Sequence, residues 1–163
     1  MKSAIVSLKI NGANREFLAQ PGTTLLAALR EGQGLTGTRR GREQGTCGAC
    51  TVIVDGQTML SCLIPVETID GSTVDTIEGL ADVNTLHPLQ EAFLEGFATQ
   101  CGFCTCGMIM AAKGLLADNP DPTRDDVVRA ISGNVCRCTG YDAIIDAILD
   151  GAKRLRTPVR IAA

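Results

Sequence analysis

The chain changes its hydrophobic rhythm near its midpoint. In the first half, Ala4, Val6, Leu8 and Ile10 alternate with Ile5, Ser7 and Lys9, a period near two that predicts a half-buried strand. Asn11-Gly12 is a hairpin turn dipeptide, and Arg15 to Ala19 follows as the returning strand. Thr23 or Thr24 is placed to cap a helix carrying Leu25, Leu26 and Leu29. Gly32 to Gly48 reads as a long loop, with glycine at 32, 34, 37, 41, 45 and 48. Thr51 to Val54, the turn Asp55-Gly56 and Gln57 to Cys62 make a second hairpin, and Ser72 to Ile77 a last strand.

From residue 84 onward the period becomes helical and predicts four helices. Pro88 suits a first helical turn, and Leu89, Ala92, Phe93, Gly96 and Phe97 follow at helical spacing. Met108, Ala111, Ala112, Leu115 and Leu116 repeat the pattern. Thr123, with Asp126 three residues on, predicts a capped third helix whose apolar face is Val127, Val128 and Ile131. Thr139 is the expected cap of the fourth, whose stripe is Tyr141, Ile144, Ile145, Ile148 and Leu149. The segment 77–84 reads as a linker, and the tail from Thr157 as frayed or partner-bound.

Composition narrows the function. A length of 163 residues allows one domain or two small ones, and 45% hydrophobic with 20% charged residues is a globular balance. The net charge of -3 comes from residues 77–163, which carry eight basic and eleven acidic groups; residues 1–76 carry seven of each. These are solvated helix faces. Nothing here is basic enough for a nucleic-acid partner, and aromatics at 3% leave little for stacking. No apolar run nears the ~18 residues of a membrane span. Met1 to Asn14 lack an apolar block followed by a small-residue cleavage site, so a cytoplasmic location is the expectation. The single histidine, His87, leaves no Ser-His-Asp constellation; before Pro88 it reads as a capping or packing residue. Arg39, Arg40 and Arg42 form a small basic cluster, a solvated loop or a docking patch.

Eight cysteines carry the candidate chemistry: 47, 50, 62, 101, 104, 106, 136 and 138. Cys47/Cys50 and Cys101/Cys104 are C-x2-C pairs, and Cys136/Cys138 is C-x-C. A bridge across so few residues removes little chain entropy, so metal binding is the better reading. Cys101 and Cys104 lie between the first and second helices of the helical half, Cys136 and Cys138 between the third and fourth. In an up-down-up-down bundle those loops emerge at one end, and four thiolates converge. Four sulfurs suit zinc or an iron–sulfur cluster, and C-x-C favours a 2Fe–2S rhomb over structural zinc. In the other half, Cys47, Cys50 and the distant Cys62 match the last three ligands of the plant-type ferredoxin spacing C-x4-C-x2-C…C. The first ligand position is Arg42.

Three stretches, Gly41 to Val54 (GREQGTCGACTVIV), Gln100 to Met110 (QCGFCTCGMIM) and Asn134 to Tyr141 (NVCRCTGY), together with His87-Pro88-Leu89-Gln90, resemble the iron–sulfur small subunit of molybdenum hydroxylases, the xanthine dehydrogenase, aldehyde oxidase and carbon monoxide dehydrogenase type. The resemblance covers nearly the whole chain. It implies an α+β fold: an N-terminal plant-type ferredoxin-like β-grasp domain over 1–77 and a C-terminal four-helix bundle domain over 84–156. It implies two 2Fe–2S clusters, with Cys47, Cys50 and Cys62 serving the first and Cys101, Cys104, Cys136 and Cys138 the second. Gln100 would contact molybdopterin on a large molybdenum subunit. Electrons would run from molybdenum through both clusters to FAD on a flavin subunit, or to another acceptor. The chain would be an electron-transfer subunit of an oxidoreductase and do no substrate chemistry itself. Two departures stand out. Arg42 replaces a cluster cysteine, so that cluster persists on three thiolates with water, a backbone group or Arg42 itself at the fourth site, or is labile or absent, or Arg42 is not the natural residue. Cys106 replaces a proline and reads as a small buried residue or bystander thiol. The competing readings are a structural zinc-binding adaptor and a free-standing ferredoxin shuttle.

Overall fold

The computed structural model describes residues 3–82 and 85–157. The N-terminal half is a mixed five-stranded sheet in the order β2-β1-β5-β3-β4. β1 (Ala4–Ile10) and β2 (Ala13–Ala19) pair antiparallel, as do β3 (Thr51–Val54) and β4 (Gln57–Leu60). β5 (Thr73–Asp75) lies between the hairpins, parallel to β1 and antiparallel to β3. Both hairpin turns have two successive positive φ angles, 49° and 82° at Asn11-Gly12 and 48° and 82° at Asp55-Gly56. That conformation matches the twist of the strands, which is why Asn-Gly and Asp-Gly sit there. The inner face of β1 buries Val6, Leu8 and Ile10 against Leu25 and Leu29, with Val52, Val54 and Val74 from the neighbouring strands. Leu25 and Leu29 come from α1 (Leu25–Ala27) and the π-helical stretch Ala28–Gly32 that continues it. The Thr24 hydroxyl caps α1 by accepting from the Ala27 N–H at 3.2 Å.

Two strands are shorter than their sequence suggests. β4 stops at Leu60, and Ser61–Leu63 turns into a 3-10 helix that carries Cys62 inward. The last strand is Thr73–Asp75, because the chain turns again at Ile77–Gly79. Ile77 and Leu80 lie against the core of the helical half, so the start of the connecting segment is packed.

The C-terminal half has α2 (Pro88–Glu95), α3 (Thr105–Asp118), α4 (Arg124–Ala130) and α5 (Asp142–Arg156). Its core is built on Leu89, Phe93, Met108, Ala112, Val127, Ile131, Ile144 and Ile148. His87 caps α2: its Nδ1 accepts from the Leu89 N–H, while Gln90 Oε1 accepts from the His87 N–H. Thr123 and Asp126 form the expected reciprocal box at α4. Three expectations are corrected. α2 ends before Gly96, and Phe97 turns out at φ 51° with 84% of its surface exposed. Val128 is half exposed on α4. α5 starts after Tyr141, which takes the flanking position at φ 73°; Thr139 is not its cap. The tail beyond Thr157 lies outside the described residues.

α3 serves both halves. Residues all round it are buried, including Gly107, Met108, Ile109, Met110, Ala111, Ala112, Gly114 and Leu116. A helix that is apolar all round must be covered all round. One face completes the bundle. On the other, a Cβ at Gly107 would stand 2.2 Å from the Gly48 carbonyl oxygen, and one at Gly114 2.9 Å from the Thr58 methyl. Glycine at these two positions lets the helix lie directly on the cysteine loop and on β4. Lys113 adds an ion pair to Asp75 at 3.2 Å.

Candidate metal centres

None of the eight cysteines is in a disulfide. In the helical half, Cys101 lies in the α2–α3 loop and Cys104 immediately before α3; Cys136 and Cys138 lie between α4 and α5. The two loops meet as the bundle geometry predicts. Cys101 and Cys138 Sγ are 3.6 Å apart, and Cys104 faces Cys136. Burial, reinforced by the Cys136 thiol, pushes Cys104 up to about 12. Burial alone would also raise Cys136, but the Thr139 hydroxyl and the N–H groups of Thr139 and Cys138 outweigh it and hold it below the ordinary value. A ligated thiol must be a thiolate, so a bound cation would offset the cost of negative charge on these partly buried sulfurs.

The second loop is held from within. The Tyr141 hydroxyl accepts from the Cys136 N–H at 2.9 Å and donates to the Asn134 carbonyl at 3.3 Å. Its αL backbone, next to Gly140 at φ 72°, turns the ring back over the loop. Gln100 is exposed at the other side and donates from Nε2 to the Cys138 carbonyl at 3.1 Å.

In the ferredoxin-like half, Cys50 and Cys62 are buried together with Leu26. Burial first, then the facing Cys62 thiol, pushes Cys50 up to about 11. The Ser61 hydroxyl donates to the Cys50 carbonyl at 2.8 Å and fixes the 3-10 turn against the loop. Cys47 is half-buried, and a Cβ at Gly41 would stand 2.8 Å from its sulfur. Arg42, next in the chain, is exposed. The basic cluster is not a continuous patch: Arg40 is paired with Glu31 and Glu43, and Arg39 is partly buried against the Cys106 thiol. Cys106 thus sits beside Arg39 at the start of α3.

The two thiol loops are joined directly. Val135, next to Cys136, donates its N–H to the Cys47 carbonyl at 2.9 Å. Asn134 is buried between the loops and donates to the Gly48 carbonyl at 2.9 Å and to the Thr51 hydroxyl at 3.2 Å. Sequence reasoning missed Asn134 and Tyr141 as positioning residues. The available signal was a polar residue two before Cys136 and an aromatic hydroxyl three after Cys138.

Among the described residues, no three His, Cys, Asp or Glu side chains gather around a single-ion site. The thiols stand two by two. Two facing pairs in the helical half match the donor set of a 2Fe–2S rhomb, which takes two thiolates on each iron. That half fits the group. The ferredoxin-like half, with Cys47, Cys50 and Cys62, is one thiol short of the same set.

A family model described as a 2Fe-2S iron-sulfur cluster binding domain matches residues 8–81, and one described as a 2Fe-2S binding domain matches residues 76–149. The nicotine 6-hydroxylase small subunit of Paenarthrobacter nicotinovorans is 47% identical, over 89% of this chain and 87% of that one. The nicotinate dehydrogenase small FeS subunit of Eubacterium barkeri is 44% identical, over 94% and 98%. The crystal structure of quinoline 2-oxidoreductase from Pseudomonas putida 86 superposes with a TM-score of 0.92 at 47% identity, over 96% of this chain and 98% of that chain. No helix among the described residues is long and apolar enough to cross a membrane.

Proposed function

Because the chain belongs to the family of iron–sulfur small subunits of molybdenum hydroxylases, we propose that it relays electrons between a large molybdenum-cofactor subunit and FAD on a flavin subunit, or another acceptor. Cys101, Cys104, Cys136 and Cys138 would hold the cluster of the helical half. Cys47, Cys50 and Cys62 are the ligands that the ferredoxin-like half offers. A bound 2Fe–2S cluster supplies one-electron transfer. The chain's own residues supply the rest. Tyr141 fixes the Cys136–Cys138 loop. The core of the helical half packs against Cys104 and Cys136 and leaves them partly buried. The Val135 N–H and the Asn134 amide hold the two cysteine loops at a fixed separation. Gln100, exposed and tied to the Cys138 carbonyl, would meet the molybdopterin. Substrate selection belongs to the large subunit.

The observation that carries this reading is the two-by-two arrangement of four thiols at one end of the bundle, on loops joined by hydrogen bonds to the second cysteine loop. Native purification, iron and acid-labile sulfide analysis and low-temperature EPR of the reduced complex test it. The expected result is co-elution with a large molybdenum subunit and a 2Fe–2S signal that Cys104→Ser abolishes. Zinc without sulfide, or elution as a lone small chain, would overturn it.

A further inference from the structure

We propose that the ferredoxin-like half of this chain stands without a cluster: Arg42, in the position of a fourth ligand, keeps a 2Fe–2S group from being held on Cys47, Cys50 and Cys62, and the loop around them is closed by protein contacts alone. The proposed function rests on the four thiols of the helical half and does not need a second cluster.

A 2Fe–2S rhomb takes two thiolates on each iron. The helical half meets that demand with two facing pairs, Cys101 with Cys138 and Cys104 with Cys136. The ferredoxin-like half has one facing pair, Cys50 and Cys62, 3% and 8% exposed behind Leu26. Cys47 is left over, and the position that would complete a second pair is Arg42, which is exposed. A guanidinium stays protonated below about pH 12 and has no lone pair to give, so Arg42 does not replace the missing thiolate. Cys106 does not replace it either. It lies on α3 in the other half, and the charged groups acting on its thiol are Arg39 and Glu78. The match of residues 8–81 to a cluster-binding family model describes the fold around these positions, whereas the ligand set is decided by the residues that occupy them.

The loop that carries Cys47 has its own fastenings. Leu63 folds onto Gly45, where a Cβ would stand 2.5 Å from the leucine Cδ1. Gly48 is pressed against the second cysteine loop: a Cβ there would stand 2.6 Å from the Asn134 amide and 2.7 Å from the Gly133 carbonyl oxygen. The Gly48 carbonyl accepts from the Thr51 hydroxyl at 2.7 Å and from the Asn134 amide at 2.9 Å. The Cys50 carbonyl accepts from the Ser61 hydroxyl at 2.8 Å. Upstream, the Arg30 guanidinium donates to the Thr36 and Thr38 carbonyls at 2.6 and 2.8 Å, and the Arg39 N–H donates to the Ala49 carbonyl at 3.2 Å. Both ends of the loop are thus tied to the sheet half and to the bundle by backbone groups that find their partners within the protein. The Cys47 sulfur rests against Gly41, where a Cβ would stand 2.8 Å from it. The loop keeps its shape on these contacts and does not need a metal group to close it.

The natively purified complex is the sample, with the native chain, Cys47→Ser and Arg42→Cys compared by iron and acid-labile sulfide content and by low-temperature EPR of the reduced protein. The native chain is expected to hold about two irons and two sulfides, the content of one 2Fe–2S cluster, with a single signal. Cys47→Ser should leave both counts and the signal unchanged. Arg42→Cys restores the C-x4-C-x2-C…C set and should raise the content to about four irons and four sulfides, with a second signal. About four irons in the native chain, or a halved content in Cys47→Ser, would overturn the proposal. So would an Arg42→Cys protein that keeps the native urea midpoint and gains no iron. Should Arg42→Cys fail to fold, the native count and Cys47→Ser still decide. Iron in Arg42→Cys alone would sink the proposed function and uphold this reading of Arg42, whereas no iron in any of the three would sink both.

Discussion

Asn134 is the residue on which the two cysteine loops turn. It is buried, and its side-chain nitrogen serves the Gly48 carbonyl and the Thr51 hydroxyl, acceptors more than eighty positions away in the chain. Asn134→Ala leaves buried acceptors short of a donor and should destabilise the protein by about 1–3 kcal/mol, read as a lower urea midpoint at unchanged slope. Asn134→Asp should be worse, since it sets a carboxylate against a carbonyl. His87 gives a pH test at the same scale. Its imidazole caps α2 only in the neutral form, because Nδ1 accepts from the Leu89 N–H. Burial first, then the Lys113 charge, holds its pKa below the ordinary 6.5. A depressed histidine contributes stability above its unfolded pKa and loses it as pH falls through the folded value. Thermal stability should therefore fall between pH 7 and pH 5, and His87→Asn, which caps without titrating, should flatten that part of the profile. His87 as a cap was legible in the sequence, since Pro88 and Gln90 mark the helix start. Asn134 was not, because its partners are near only after the sheet and the bundle have met.

At the level of elements, termini and turns were the most legible features. Asn11-Gly12, Asp55-Gly56, Thr24 and the Thr123/Asp126 box all act within a few residues, so short sequence windows contain the whole interaction. Phe97 and Thr139 misled for the opposite reason. The α2–α3 and α4–α5 loops exist to present cysteines, and that demand ends α2 at Glu95 and puts Tyr141 rather than Thr139 before α5. α3 is where an element-scale change should do most harm. Gly107 lies against backbone, the Gly48 carbonyl and Ala49, with no flexible side chain to yield. Gly107→Ala gains helix propensity but must push α3 off the Cys47–Cys50 loop. Overpacking of this kind costs about 1–3 kcal/mol, against less than ~1 kcal/mol from propensity. The variant should be less stable than the native chain in urea denaturation. A variant at least as stable would show that the contact relaxes freely.

At the scale of the whole molecule the two halves share a packed junction and are expected to unfold as one cooperative unit, although the sequence reads as two patterns joined by a linker. The switch from period two to helical period is real, and it marks where sheet gives way to bundle. What periodicity could not reveal is that α3 has two buried faces, because a single stripe of Met108, Ala111, Ala112, Leu115 and Leu116 already satisfies the helical template. The residues outside the stripe, Gly107, Ile109, Met110 and Gly114, are buried too, and four of the eight buried positions of α3 are these. The junction then gathers the Asn134 and Val135 hydrogen bonds, the Lys113–Asp75 ion pair, and Ile77 and Leu80 against the helical core. Separating the halves would expose apolar surface and orphan backbone acceptors together, so partial opening gains little entropy for a large loss of contacts. Native-state hydrogen exchange in rising urea should show this directly. The buried amides of β3, such as Val52 and Val54, and those of α5, such as Ile144 and Ile148, should converge on one opening free energy. Gly107→Ala should split them, with β3 and the cysteine loop opening first. If the two sets are already separate in the native chain, the junction is a contact between independent domains. Its hydrogen bonds would then have to keep the cysteine loops in register without the support of a shared core.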